Sequence, residues 1–211
     1  EYLFSRNILE NKSKSELVDI YFARSNIMHK EKEYAKSAKY LKEANLIKLS
    51  IYPSDLTYIC KKTQRIFYET NKYPVEKRNQ NNDQNPIFIV GLPRSGSTLL
   101  ETIISMNPAV KDLGEVNYFE DSYIEWKKNK NESLDKIYKS KVGKYTKDKE
   151  LSTNKWLYNF QYAGIIIKGI PNAKIIHCVR DPLDNILSIY RAHFAQGSRF
   201  SSSIIDTAKL Y

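Results

Sequence analysis

The segment Gly91-Leu92-Pro93-Arg94-Ser95-Gly96-Ser97-Thr98 brings together two glycines, three hydroxyls and one arginine, a set of residues suited to holding an anion. A loop bent around small residues aims successive backbone N–H groups inward, and a helix that starts at its end adds unpaired donors and a partial positive charge. Both flanks fit such a cradle. Ile87-Phe88-Ile89-Val90 is a continuous apolar run entered by Pro86, which reads as a buried parallel strand. Leu99, Leu100, Ile103 and Ile104 follow at helical spacing and predict a helix beginning near Ser97. In a magnesium-dependent triphosphate site a Lys follows the second Gly. Ser97 stands there instead, and the cation is Arg94, nearer the tip of the loop.

Three further places carry groups that can do chemistry. Lys174 to Val179 is a second strand-like run ending at Arg180-Asp181-Pro182, where Asp181 predicts an N-cap and Pro182 the first helical position. Ser188 lies on that helix, eight residues beyond Arg180. Val110 to Leu113 predicts a short strand leading into Gly114-Glu115, which sets a carboxylate at the carboxyl end of the sheet, where ligands of open α/β folds gather. Glu115 is a candidate general base. Asn154-Lys155 stands just before the aromatic stretch of Trp156, Tyr158 and Phe160.

The elements that must position these groups form an α/β arrangement preceded by helices. Leu17, Ile20, Tyr21, Ile27 and Met28 predict one amphipathic helix, and Tyr34, Ser37, Ala38, Leu41, Ala44 and Leu46 a second, antiparallel to it. Ser54 as N-cap, with Leu56, Ile59, Cys60, Ile66 and Phe67 inside, predicts a third. Lys77 to Asn85 holds almost only charged residues, Asn and Gln. The expected division is a helical module over 1–78, a linker over 79–85 and an α/β domain over 86–211.

Composition bounds the rest. The chain has 211 residues, 41% hydrophobic and 12% aromatic, enough for a packed core, and a formal net charge of +10 with lysines spread throughout rather than gathered in one stripe. Nucleic acid is therefore not expected as a partner. Cys60 and Cys178 are far apart, and His29, His177 and His193 lack ligand spacing, which argues against a disulfide framework and against a metal site and favours a reducing, cytoplasmic setting. No apolar run reaches the ~18 to 20 residues of a membrane span.

The run Pro93-Arg94-Ser95-Gly96-Ser97-Thr98-Leu99 resembles the 5′-phosphosulfate loop of sulfotransferases that use PAPS (3′-phosphoadenosine-5′-phosphosulfate), where Thr is more usual in the place of Ser97. Arg180 and Ser188 are similar in spacing to the family's 3′-phosphate site, Gly114-Glu115 to the Gly-Glu of tyrosylprotein sulfotransferases and of bacterial repeat-fused relatives, and Lys155 to the Lys set against the leaving group. The resemblance implies a P-loop-like, three-layer parallel sheet that binds PAPS and releases PAP (adenosine 3′,5′-bisphosphate). Arg94, Ser95, Gly96, Ser97, Thr98, Arg180 and Ser188 would hold the nucleotide, and Glu115, Lys155 and Arg94 would act in transfer to an acceptor hydroxyl or amine without a metal. It also implies further chain beyond Tyr211. The first two helices resemble one tetratricopeptide repeat, with Tyr21, Ser25, Met28, Tyr34, Ser37, Leu41 and Ala44 at its spaced positions, which would offer a surface to a protein partner. Val116-Asn117-Tyr118 after Glu115 lacks the Arg that tyrosylprotein sulfotransferases carry there, so protein tyrosine is not implied as acceptor. A further Arg expected four residues after Ser188 is Ala192, with Arg191 beside it. Two other readings stay open: a kinase or nucleoside triphosphatase using the same loop, and a non-catalytic interaction protein working through its helices.

Overall fold

The computed structural model describes residues 2–5, 7–75, 85–146, 151–194 and 198–211. In chain order the elements are α1 (Lys14–Lys30), α2 (Tyr34–Ile51), α3 (Thr57–Lys72), β1 (Pro86–Gly91), α4 (Ser97–Ser105), β2 (Val110–Asp112), α5 (Tyr118–Lys128), α6 (Leu134–Val142), β3 (Leu151–Asn154), α7 (Ala163–Gly169), β4 (Lys174–Cys178), α8 (Pro182–Arg191) and α9 (Ile204–Leu210), with short 3-10 turns between some of them. The expected α/β class holds. No described helix is long and apolar enough to cross a membrane.

Two compact units divide the chain, Glu1–Tyr58 with Asp181–Tyr211, and Ile59–Arg180. This grouping differs from the 1–78 and 86–211 division expected from composition, and most of the expected linker, residues 79–84, lies outside the described residues. The reason for the difference is in the side chains. Most of α3 packs with the sheet, contributing Ile66 to its core, while Tyr190 of α8 packs with α1 and α2.

In the sheet unit the strands run in the order β2-β3-β1-β4, and every pairing is parallel. After β1 the chain places β2 and β3 on one side of it and then returns to lay β4 on the other. Phe88 and Val90 face a core with Phe119 and Tyr123 of α5, Leu134, Tyr138 and Val142 of α6, and Ile165 and Ile166 of α7. Phe88 meets Phe119 nearly edge to face, with ring centroids 5.6 Å apart. Ile89, on the opposite face, is also fully buried, so the uninterrupted apolar run has the cause assigned to it from sequence: a strand covered on both sides.

In the other unit α1 and α2 pack through Val18, Phe22, Leu41 and Ala44. Ser13 caps α1 in a reciprocal capping box with Glu16, and the Ser13 backbone N–H, with its hydroxyl, draws the Glu16 carboxyl down to about 2. The small residues expected between the helices meet directly. The Ser25 hydroxyl donates to the Ser37 carbonyl at 3.0 Å, and the Ser37 hydroxyl returns a bond to the Ser25 carbonyl at 2.9 Å. The inner faces are otherwise shifted from expectation: Val18 and Phe22 are the buried apolar residues of α1, whereas Tyr34 and Leu46 of α2 are exposed and Asn45 and Lys48 buried. Polar donors are inside because carbonyls need them. Asn45 Nδ2 donates to the Tyr190 carbonyl at 3.1 Å, and Lys48 Nζ to the Phe194 carbonyl at 2.7 Å. Burial pulls the Lys48 ammonium below its ordinary pKa. On α3, Asp55 rather than Ser54 accepts the Thr57 N–H at 2.7 Å, and Phe67 and Cys60 are exposed.

Candidate active site

β1 ends at Gly91, whose φ of 146° and neighbours together require glycine. A Cβ there would stand 2.5 Å from the Cys178 carbonyl oxygen on β4 and 3.3 Å from Ser95 Oγ. The loop then bends through two more left-handed residues, Arg94 at φ 66° and Gly96 at φ 98°. Gly96 accepts from the Leu100 N–H at 3.1 Å, the first bond of α4. The N–H groups of the first turn of α4 therefore have no intrahelical acceptor. Ser95 Oγ is buried and makes no hydrogen bond among the described residues, so the loop holds a hydroxyl that a bound anion would satisfy. Arg94, Gly96 and Thr98 are exposed and Ser97 is buried.

The register of β4 brings a second cation to this loop. Gly91 pairs with Cys178, so the chain leaving β4 runs beside the residues leaving β1. Arg180 Nη1 donates to the Arg94 carbonyl at 3.4 Å. Asp181 accepts from the N–H groups of Leu183 and Asp184, and Pro182 opens α8, as the sequence predicts. Ser188 is half-buried on α8, in the unit of Asp181–Tyr211, and is not among the residues the sheet unit gathers. Arg191 lies in that same unit, its Nη1 2.9 Å from His29 Nε2. Burial raises the Cys178 thiol above its ordinary pKa, which leaves it a poor nucleophile.

The carboxyl ends of β2 and β3 supply the remaining candidates, and backbone bonds lock them together. The Leu113 N–H donates to the Thr153 carbonyl at 3.1 Å and the Lys155 N–H to the Gly114 carbonyl at 2.9 Å. Gly114 at φ 69° makes the turn that presents Glu115. Lys155 Nζ donates to Glu115 Oε1 at 2.7 Å; the lysine side chain is 6% exposed and the glutamate 60%. Asn154, fully buried, fixes the turn after β3 by accepting from the Trp156 N–H and from Asn159 Nδ2, both at 3.1 Å.

A further carboxylate enters from α4, one that sequence reasoning missed. Glu101 is buried, accepts from Thr153 Oγ1 at 2.8 Å and sets Oε2 3.9 Å from Lys155 Nζ. The buried residues of α4 are Ser97 and Glu101, while Leu99 is 67% and Ile103 55% exposed. The pair at i and i+4 was the available signal.

A parallel sheet with a strand, loop and helix cradle, two arginines at its mouth and a carboxylate–lysine pair beside it limits the choice of family. A family model described as the sulfotransferase domain matches residues 84–204, which takes in every candidate position. The chain belongs to the sulfotransferase domain family. Among curated proteins, an uncharacterized protein of Aquifex aeolicus (strain VF5) is 27% identical over 198 residues, which cover 82% of this chain and 26% of that relative. The chain thus spans about a quarter of the length of the curated relative it matches. No solved structure gives a significant match.

Proposed function

We propose that this sulfotransferase domain takes its sulfuryl group from PAPS and delivers it to an acceptor hydroxyl or amine. The observation that carries the reading is convergence: the Arg94–Thr98 loop, Glu115, Lys155 and Arg180 all follow the carboxyl ends of strands of one parallel sheet. The residues fit such a donor. Backbone N–H groups around Ser95 to Thr98 and the unbonded Ser95 hydroxyl suit a 5′ phosphosulfate, and Arg180, beside the same loop, suits a ribose phosphate with its forked guanidinium.

PAPS, when bound, supplies an activated sulfuryl group whose departure leaves negative charge on the nucleotide phosphate. Arg94 and Lys155 would provide cations where that charge develops, so their contribution is larger in the transition state than before it. Glu115, more than half exposed, is open to an acceptor and would take its proton. Its ion pair with Lys155 gives the base a fixed direction. The first two helices are proposed as a docking surface for a protein partner, and the two free cysteines suit a cytoplasmic setting.

Thermal unfolding distinguishes this reading from a triphosphatase. PAP at 100 times its Kd is expected to stabilise the domain by about 2.7 kcal/mol, visible as a rise of several degrees in Tm, with ATP–Mg giving little. Protection by ATP–Mg but not by PAP would reverse the assignment, and protection by neither would favour a non-catalytic interaction protein.

A further inference from the structure

We propose that Glu101 is a positioning residue for Lys155: from α4 it anchors the lysine on its buried side, so that Nζ is held ready for an anion in the loop rather than surrendered to Glu115. The inference rests on the reading of the loop as a phosphosulfate site and adds a residue which that reading does not use. Three observations carry it. Lys155 lies almost fully buried between two carboxylates, Glu115 Oε1 at 2.7 Å and Glu101 Oε2 at 3.9 Å. These two differ in kind, since the Glu115 side chain is 60% exposed and rises from a turn, whereas that of Glu101 is 9% exposed and set on a helix. Glu101 is itself fixed, because Thr153 Oγ1 on β3 donates to its other oxygen at 2.8 Å.

A buried ammonium requires a counter-charge, and losing one member of a buried ionic group leaves the rest poorly solvated. With Glu101 neutral, the charge on Lys155 would rest on Glu115 alone. An anion arriving in the loop would then have to draw Nζ away from its sole carboxylate. Ser97 and Glu101 share the buried face of α4, so the helix that opens with the anion-binding turn also carries the lysine's anchor. Bare electrostatics argues the other way: a carboxylate near a phosphate site repels the ligand, and its removal should tighten binding. The two mechanisms therefore predict opposite signs.

The test is a double-mutant cycle read as PAP affinity by calorimetry, on the wild-type chain, Glu101→Gln, Lys155→Met and the double variant. Glu101→Gln is expected to weaken PAP about five- to tenfold when Lys155 is present and less than about twofold when it is Met, a coupling of the size seen for groups in one ionic network. Thr153→Val, which removes only the hydroxyl that fixes Glu101, should weaken PAP in the same Lys155-dependent way and decides the matter if Glu101→Gln does not fold. Equal losses with and without Lys155 would mean that Glu101 only supports the fold, and unchanged or tighter binding would mean that repulsion dominates; either result overturns the proposal. Failure of the wild-type chain to bind PAP would remove the nucleotide reading and this inference with it, and is recognisable because it falls on the unmutated protein.

Discussion

Replacing Glu115 with Ala is expected to lower sulfuryl transfer by about 100- to 10,000-fold, the usual contribution of a positioned general base, while PAP affinity changes by less than about threefold. The expectation follows from where the carboxylate sits. Glu115 is exposed at the mouth of the site, on a turn whose glycine carbonyl is tied to the Lys155 N–H, so truncating its side chain leaves the loop and the sheet intact. Lys155 retains Glu101 as a neighbour. The measurement is incorporation of ³⁵S from labelled PAPS into acceptors of a cell extract, alongside calorimetry with PAP. Glu115→Gln should be as inactive as Glu115→Ala, because an amide cannot take the proton. Activity retained by either variant would assign the base elsewhere.

Arg180→Ala has the second largest expected effect, and its selectivity matters more than its size. A charge-assisted hydrogen bond to a phosphate contributes about 1.5 to 3 kcal/mol, so PAP should bind roughly 10- to 100-fold more weakly. Adenosine 5′-phosphosulfate, which has no ribose phosphate, should be almost unaffected. Arg180→Lys should fall between, since it keeps the charge but not the planar fork. Equal losses for both ligands would mean that Arg180 acts by holding the Arg94 carbonyl, and so the loop, in place.

The strands, loop and helix starts that carry the candidate residues were legible because they obey local rules. A short apolar run entered by Pro86 and left by Gly91 is the pattern of a strand covered on both faces, and small residues after it favour a turn. Asp181-Pro182 announces a helix start through cap geometry alone, and the structure places the cap there. What the sequence did not disclose depends on contacts between distant segments. Glu101 stands among Leu99, Leu100, Ile103 and Ile104, where a carboxylate reads as the solvent side; it is buried because Thr153 and Lys155, some fifty residues later, give it partners. The strand order is likewise hidden, since β2 is short and polar and is defined as a strand only by lying beside β3. The face of α1 was misjudged for a related reason. Apolar residues occur on more than one side of it, and only packing with α2 selects Val18 and Phe22.

A crystal structure of the chain with PAP would locate both phosphates of the nucleotide. The 5′ phosphate is expected within hydrogen-bonding distance of the N–H groups from Ser95 to Thr98, and the 3′ phosphate on the Arg180 guanidinium. A nucleotide bound away from this loop, or one whose 3′ phosphate lies against solvent with Arg180 turned elsewhere, would contradict that expectation.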